Sequence, residues 1–296
     1  PPRHMHDARV LESFAPTQPF FVGIDSDGCV FDTMEIKHKE CFTPMFIKHF
    51  HLQAVSRFAR EVWEFVNLYS RTRGINRYPA LSNALNLLAE RPETHERHVQ
   101  IPGTDDLDAW MARESRHSLA TLRAEIEQNG QASLQPVLDW SLAVDAQIED
   151  IVHGVPPFPG VRECLQRIRT QADAMVISQT PGDALRREWD EHSLTPLVAL
   201  IAGQELGSKK DHLRLAASGK YPAANILMVG DAPGDFTAAK SNRALFFPII
   251  PGREAASWQR LLDEGLDAFF SGQFAGDYET ALLQEFNACL PERPSW

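Results

Sequence analysis

The sequence predicts an α/β fold in which a doubly wound parallel sheet is interrupted by an inserted all-helical domain. Two observations carry this prediction. In the second half of the chain, short apolar segments bounded by Gly, Asp, Ser or Pro alternate with stretches of helical spacing. One more apolar segment lies early in the chain, and residues 33–152, which contain no convincing strand, separate it from the others.

The apolar segments are interpreted as buried strands, because parallel strands covered on both faces show unbroken apolar runs. The predicted strands are Phe20–Ile24, Ala174–Ile177, Leu197–Ala202, Ile226–Val229 and Leu245–Ile250. The helices predicted beside them are Val161–Gln171, Asp183–His192, Lys210–Ala217, Phe236–Ser241 and Glu254–Asp263. Strands that alternate with helices in this way form a parallel sheet with helices on both faces.

The long insertion has the spacing of helices, since Leu81, Leu85 and Leu88 recur on one helical face. A proline-rich segment, residues 155–160, cannot continue a helix and marks the return to the sheet. The predicted organisation is therefore a flexible segment over residues 1–18, a core domain over residues 19–32 and 153–296, and a helical domain over residues 33–152.

Composition and charge exclude several kinds of partner. The chain has 296 residues, 43% of them hydrophobic, which suffices for a large core. A formal net charge of -11 disfavours nucleic acid and anionic membrane surfaces as partners. No apolar run reaches the length of a membrane span, and residues 1–19 lack the apolar stretch of a signal peptide. We therefore expect a cytoplasmic protein, whose four cysteines, without a C-x-x-C pair, stay reduced.

Two carboxylates follow the first predicted strand. Because ligands bind beyond the carboxyl ends of the strands in an open parallel sheet, Asp25 and Asp27 lie where a reaction centre is expected. Gly28 allows a sharp turn after them, so that one carboxylate points at a substrate and the other is held beside it. For this segment alone, an ordinary Asp-Gly turn is the alternative explanation.

A second pair, Asp231 and Asp235, follows the strand predicted at Ile226–Val229. A hard cation requires several oxygen ligands at short distance, so this pair is a candidate metal site. Taken separately, Asp231 is also typical of a turn and Asp235 of a helix start. The joint occurrence of both pairs behind apolar strands favours chemistry over local structure.

Ser178 and Lys209 follow two further predicted strands. A hydroxyl with nearby backbone N–H groups binds phosphate oxygens, and an ammonium neutralises charge on a nucleophile and on a transferring group. Neither residue is informative by itself. Lys210 stands beside Lys209, so the identity of the functional lysine is open by one residue.

Together these segments resemble the four motifs of the haloacid dehalogenase superfamily of hydrolases, which occur in this order at successive strand ends. The matching residues are Asp25-x-Asp27-Gly28, Ser178, Lys209 and Gly230-Asp231-x-x-x-Asp235. The resemblance covers residues 20–32 and 155–250 and implies a Rossmann-like core, with the helical domain in the position of the family's first type of cap. Two features depart from the family. Cys29 stands where Thr is usual, and the insertion is longer than the commonest cap.

The resemblance implies a phosphoric monoester hydrolase that acts on a small phosphorylated metabolite. Asp25 would attack phosphorus to form an aspartyl phosphate, while Asp27 would protonate the leaving oxygen and then activate water. It also implies that Mg²⁺ binds the carboxylates of Asp25 and Asp231 and the backbone carbonyl of Asp27, with support from Asp235.

The same fold can support other activities. Asp27 argues against a dehalogenase, because a halide leaves without an acid. A phosphonate hydrolase needs a Schiff-base lysine, and Lys37, Lys39 and Lys48 are more simply solvated helix residues. A phosphomutase or phosphotransferase remains open, as does a catalytically silent phosphate-binding module. No phosphate-loop or dinucleotide-binding glycine motif is present, so no nucleotide cofactor is expected.

Substrate choice is expected to depend on the helical domain, because a cap that closes over a sheet excludes water and contacts the leaving group. Residues 71–78 carry three arginines, of which Arg73 and Arg77 are predicted to grip an anionic part of the substrate. A solvated basic helix end is the other explanation. Gln179, beside Ser178, is also predicted to contact the substrate.

Overall fold

The computed structural model describes residues 8–296, and the chain divides into two compact units. Residues 8–33 and Gly154–Leu290 form the α/β unit, and Met34–His153 with Pro291–Trp296 form the helical unit. The strands are β1 Phe20–Ile24, β2 Ala172–Ile177, β3 Leu200–Ala202, β4 Ile226–Gly230 and β5 Leu245–Pro248.

The α-helices, in chain order, are α1 Arg9–Glu12, α2 Thr33–Ile36, α3 Thr43–His49, α4 Ser56–Leu68, α5 Arg77–Ala89, α6 Pro92–Glu96, α7 Asp105–Arg113, α8 Leu119–Asn129, α9 Gln135–Ile151, α10 Val161–Ile168, α11 Gly182–Glu191, α12 Lys209–Ala216, α13 Pro233–Ser241, α14 Glu254–Arg260, α15 Leu266–Phe270 and α16 Asp277–Cys289. Two π-helical segments, Lys37–Phe42 and Leu261–Gly265, lie between some of them. No helix within residues 8–296 is long and apolar enough to cross a membrane.

The α/β unit is built on a five-stranded sheet with the strand order β3-β2-β1-β4-β5. Every neighbouring pair is parallel. The chain starts at the central strand β1, moves to one side through β2 and β3, and then crosses to the other side for β4 and β5. This confirms the predicted doubly wound fold class and brings the carboxyl ends of all five strands to one edge.

Alternate residues of the strands enter two cores on opposite faces of the sheet. Val22 and Ile24 join one core with residues of α10, α11, α14 and α15. Phe21 joins the other core with residues of α12, α13 and α16. Strands β2, β4 and β5 are buried at every residue, which explains why the sequence shows unbroken apolar runs in place of alternation.

Strand β3 is shorter than the sequence predicted. It begins at Leu200 and not at Leu197, because residues Thr195–Leu197 form a 3-10 turn. In this turn the Leu197 N–H donates to the Leu194 carbonyl oxygen at 2.9 Å. Apolar side chains alone do not reveal such a turn, since they suit either conformation.

Helix α16 was not predicted from the sequence, and it covers the edge strand β5. The Glu279 carboxylate of this helix accepts a hydrogen bond from the Phe246 N–H at 2.8 Å and from Lys240 Nζ at 2.5 Å. An edge strand presents unpaired backbone groups, and this carboxylate satisfies one of them. The helix therefore closes the sheet on that side.

The segment before β1 is attached to the α/β unit. Leu11 is fully buried, and Lys220 Nζ donates to the carbonyl oxygens of Leu11 and Phe14 at 2.9 and 2.8 Å. The Thr17 N–H donates to Asp173 Oδ2 at 2.8 Å. The prediction of a flexible segment is therefore corrected for residues 8–18, because these contacts fix them; residues 1–7 lie outside the described residues.

The helical unit has a core of its own, rich in aromatic rings. Trp63 and Trp140 are fully buried in it and pack edge to face, with ring centroids 5.7 Å apart. No strand lies in Met34–His153, in agreement with the helical spacing of its leucines. The unit's stability therefore rests on packed helices.

Residues 291–296 also belong to the helical unit, whereas the sequence placed them with the core domain. The Arg71 N–H donates to the Pro291 carbonyl oxygen at 3.2 Å. The Trp296 ring centroid lies 4.5 Å from the Arg91 guanidinium and 5.5 Å from the Phe65 ring centroid. These contacts join residues that are distant in sequence, so no local pattern predicts them.

Candidate active site

Asp25 directly follows the central strand β1. Its N–H continues the sheet ladder by donating to the Val229 carbonyl oxygen at 3.0 Å. The chain then reverses at Gly28, which has φ +75° and whose N–H donates to the Phe31 carbonyl oxygen at 2.8 Å. Side chains disfavour this φ, so glycine serves the sharp turn that the sequence predicted. The turn leaves Asp25 only 4% exposed and Asp27 partly exposed.

Lys209, the first residue of α12, brings the strand ends together. Its Nζ lies 2.7 Å from Asp25 Oδ2 and 2.6 Å from Asp235 Oδ1, while Lys210 is exposed. Carboxylate oxygens of Asp25, Asp231 and Asp235 lie within 4.8 Å of one another, and all three residues are buried. We call these four residues, the three aspartates and Lys209, the strand-tip site.

Asp235 is fixed at both carboxylate oxygens. One faces Lys209, and the other accepts a hydrogen bond from the Ala232 N–H at 3.0 Å. A Cβ atom at Gly230 would lie 2.5 Å from the Asp235 carboxyl group. The glycine before Asp231 is therefore required by close packing.

The strand-tip site carries more negative than positive charge. Burial raises the pKa of Asp25 to about 7, because desolvation together with the neighbouring Asp235 outweighs the attraction of Lys209. Burial also raises the pKa of Asp235. For Lys209, burial acts to lower the pKa, but Asp235 and Asp25 outweigh it and raise the pKa, so the ammonium stays protonated.

This donor set fits a divalent cation. Carboxylate oxygens are the ligands that Mg²⁺ prefers, and a cation would offset the surplus negative charge that raises the carboxyl pKa values. Within residues 8–296, Asp25, Asp231 and Asp235 are the one group of three acidic, histidine or cysteine side chains that come this close. The geometry is therefore consistent with the metal site expected from the sequence.

Asp27 is held by two threonines that the sequence did not predict as site residues. Thr180 Oγ1 donates to Asp27 Oδ2 at 2.6 Å, and Thr33 Oγ1 donates to Asp27 Oδ1. The available signal for Thr180 was its position two residues after Ser178, beside a strand end. Threonines are common near strand ends, so this signal is weak in the sequence alone. It gains weight in the structure, where the end of β2 lies beside the end of β1.

Ser178 follows β2, the sheet neighbour of β1, and is buried. Its hydroxyl accepts a hydrogen bond from the Thr180 N–H at 3.2 Å. The side-chain amide of Gln179 donates to the carbonyl oxygens of Ser178 and Gly207 at 3.3 and 3.0 Å, while the residue stays exposed. Gln179 therefore braces the loop that leads to Lys209.

Arg73 and Arg77, predicted to grip the substrate, have partners inside the helical unit. Arg73 is 3% exposed, and its Nη1 donates to the Leu68 carbonyl oxygen at 2.9 Å, at the end of α4. Arg77 Nη1 lies 2.7 Å from Asp145 Oδ1 and donates to Ser141 Oγ at 2.9 Å. Arg73 thus contacts the end of α4, and Arg77 joins α5 to α9. Contact of either guanidinium group with a substrate stays a prediction.

Comparisons with known proteins give resemblances of fold at low sequence identity. No protein-family model matches the chain, and no curated protein matches it. A predicted phosphoglycolate phosphatase from Haemophilus somnus is 13% identical, over 79% of this chain and 86% of that one, with a TM-score of 0.46. A haloacid dehalogenase-like family hydrolase from Xanthomonas campestris is 12% identical, over 86% and 97% of the two chains, with a TM-score of 0.42. A predicted phosphatase from Clostridium acetobutylicum is 13% identical, over 78% and 85%, with a TM-score of 0.41.

Proposed function

We propose that the protein is a magnesium-dependent phosphohydrolase of the haloacid dehalogenase type, which hydrolyses a small phosphate monoester through a phosphorylated aspartate. The observation that carries the proposal is the strand-tip site. Asp25 lies 2.7 Å from the Lys209 ammonium and is grouped with two further buried carboxylates at the carboxyl edge of a parallel sheet. Phosphoryl transfer depends mainly on positioning and on neutralising charge, and this set of groups supplies both.

The proposed reaction has two steps that share the same carboxylates. A carboxylate oxygen of Asp25 forms a bond to phosphorus while the bond from phosphorus to the ester oxygen breaks, and Asp27 gives a proton to that oxygen. Asp27 then takes a proton from a water molecule that attacks phosphorus. Inorganic phosphate leaves and Asp25 is regenerated. In both steps, the positive charge of the Lys209 ammonium offsets the negative charge of Asp25 and of the phosphoryl oxygens.

Mg²⁺ is the proposed cofactor. The carboxylates of Asp25 and Asp231 and the backbone carbonyl of Asp27 would hold it, and Asp235 would support the site through its contact with Lys209. When bound, the cation neutralises charge on the transferring group and favours the ionised form of Asp25. That form is the one able to attack, so the raised pKa of Asp25 is consistent with a site completed by a cation.

The experiment that tests the function is an assay of inorganic phosphate released from phenyl phosphate and from a panel of phosphorylated metabolites. We expect release with Mg²⁺ and none with an excess of chelator. Turnover that persists in chelator would contradict the proposed dependence on Mg²⁺. Failure to hydrolyse any ester with Mg²⁺ present would contradict the proposed phosphohydrolase activity. Adding a sugar alcohol as a competing acceptor separates water from a hydroxyl as the phosphoryl acceptor, because a phosphotransferase would form a new ester.

A further inference from the structure

We propose that Thr180 is a positioning residue that holds the Asp27 carboxylate in place for proton transfer, an inference that rests on the proposed function. The Thr180 hydroxyl donates to Asp27 Oδ2 at 2.6 Å. On the other side of the same carboxylate, Thr33 donates to Oδ1. Each carboxylate oxygen of Asp27 therefore accepts a hydrogen bond from a threonine hydroxyl.

The backbone of Thr180 is fixed at two further points. Its N–H donates to Ser178 Oγ at 3.2 Å, and its carbonyl oxygen accepts from the Gln204 N–H at 3.1 Å. Ser178 follows β2, Gln204 follows β3, and Asp27 follows β1. Thr180 thus ties the ends of three strands together, and its hydroxyl is aimed by a backbone that cannot easily move.

The need for such a residue follows from the exposure of Asp27. Asp27 is partly exposed, and an exposed carboxylate samples several rotamers unless its neighbours fix it. Proton transfer requires the carboxylate within hydrogen-bonding reach of the reacting oxygen. A fixed Thr180 hydroxyl removes the alternative rotamers of the Asp27 carboxylate.

A hydroxyl suits this position better than a cation does. Asp27 is proposed to act first as an acid and then as a base, so the residue beside it must tolerate both protonation states. A hydroxyl donates to a carboxylate and accepts from a carboxylic acid. A lysine or arginine would favour only the ionised form and would leave a poor acid.

Two substitutions at Thr180 and one elsewhere test whether Thr180 orients the Asp27 carboxylate or only stabilises the surrounding structure. Thr180→Val keeps the shape and removes the hydroxyl, whereas Thr180→Ser keeps the hydroxyl. The matched control is Thr195→Val, because Thr195 Oγ1 also donates to an aspartate, Asp190 Oδ1 at 2.5 Å, in the same unit. Thr195 precedes β3 and therefore belongs to the opposite edge of the sheet.

The experiment compares kcat/KM for 4-nitrophenyl phosphate and phenyl phosphate with Mg²⁺. Nitrophenolate leaves without a proton, whereas phenolate needs the acid. We expect Thr180→Val to lower kcat/KM for phenyl phosphate by roughly 10- to 100-fold, a part of what general acid catalysis contributes. For 4-nitrophenyl phosphate we expect a loss below about threefold, because the acid is not needed. Thr180→Ser and Thr195→Val are expected to retain both values.

An equal loss of kcat/KM for both esters in Thr180→Val would overturn the inference. It would show that Thr180 stabilises the whole site and does not act on the acid step. If the wild-type protein hydrolyses neither ester, the proposed function fails first, and a crystal structure of Thr180→Val then decides the inference by itself. We expect the Asp27 side chain to leave its wild-type rotamer in that structure. An unchanged rotamer would count against a positioning role regardless of activity.

Discussion

Two clusters of charged side chains differ in how their charges balance. In the strand-tip site, three buried carboxylates meet one ammonium, and burial raises the pKa of Asp25 to about 7. In the helical unit, the buried Arg91 guanidinium meets Glu61 at 2.8 Å and Glu93 at 3.1 Å, and its hydrogen bonds lower the pKa of Glu93. Arg57 also meets Glu61, at 3.1 Å, so two guanidinium groups face two carboxylates. The first cluster has surplus charge, whereas the second provides favourable partners for its charges.

Such a difference is expected between a site that binds a ligand and a cluster that stabilises the fold. Surplus buried charge is unfavourable for folding, so it is expected where a ligand or cation supplies the opposite charge. Matched charges already have their partners inside the protein. Arg77, paired with Asp145 at 2.7 Å, belongs with the matched kind.

The largest expected effect is on turnover. Asp25→Asn should lower kcat for phenyl phosphate by roughly 10⁴-fold or more, because an amide oxygen is a far weaker nucleophile at phosphorus. The matched control is Asp145→Asn in the helical unit, which should change kcat by less than about twofold. Circular dichroism of both variants checks that they fold. Substantial turnover by the Asp25 variant would show that another group attacks phosphorus.

The next effect is on stability without Mg²⁺. Lys209→Met should reduce the free energy of unfolding by roughly 3–5 kcal/mol, because it leaves buried carboxylates without their cation. Lys210→Met is the control, since the neighbouring side chain is exposed, and should change it by less than about 0.5 kcal/mol. Urea unfolding in chelator measures both variants. Equal losses would mean that Lys209 is not the residue that balances the site.

A smaller stabilisation is expected from Mg²⁺ itself. At a concentration 100 times its Kd, Mg²⁺ should raise the free energy of unfolding by roughly 2.7 kcal/mol if it binds only the native state. Asp231→Asn should remove most of this gain, whereas Asp263→Asn, an exposed aspartate in the same unit, should keep it. Thermal unfolding with and without Mg²⁺ is the measurement. A gain that survives in the Asp231 variant would place the cation elsewhere.

Asp173 is also buried, but its pKa is lowered, in contrast to the raised pKa of Asp25. Burial acts to raise the pKa of Asp173, but hydrogen bonds from Thr17, Gln18 and Tyr221 outweigh it and lower the pKa. Since the folded-state pKa lies below the unfolded value, the carboxylate stabilises the fold above the unfolded pKa, and this is lost as pH falls through the folded pKa. Asp173→Asn should cost roughly 1–3 kcal/mol at pH 7.

The difference between wild type and Asp173→Asn should shrink as the pH falls below about 4, where the carboxyl group becomes protonated. Urea unfolding at a series of pH values measures it. A difference that stays constant down to pH 2 would show that the carboxylate charge makes no contribution.

Much of the fold was predictable because its signals are local. The bounds of β1, Phe20–Ile24, agree with the prediction, since a short apolar run is bounded by Pro19 and Asp25. The start of β3 and the place of residues 291–296 were not predictable. They depend on a turn closed by Leu194 and on contacts of Trp296 with residues far away in sequence.

The candidate site also has features that the sequence predicts and features that it does not. The grouping of Asp25, Asp231 and Asp235 was expected because parallel strands bring their carboxyl ends to one edge. The contact of Thr180 with Asp27 and that of Arg73 with Leu68 were not expected, since the partners of a hydroxyl or a guanidinium group are known only once the chain is folded. Residue type and strand position thus predict the chemistry of the site but not its supporting contacts.

The most direct measurement is to trap the phosphorylated protein. Asp27→Asn should still accept the phosphoryl group from 4-nitrophenyl phosphate, which needs no acid, but should hydrolyse the aspartyl phosphate slowly because the base is missing. After an acid quench and digestion, mass spectrometry should find one phosphoryl group on Asp25. An unmodified Asp25 peptide, or a phosphoryl group on another residue, in a sample that releases nitrophenol would contradict the proposed mechanism.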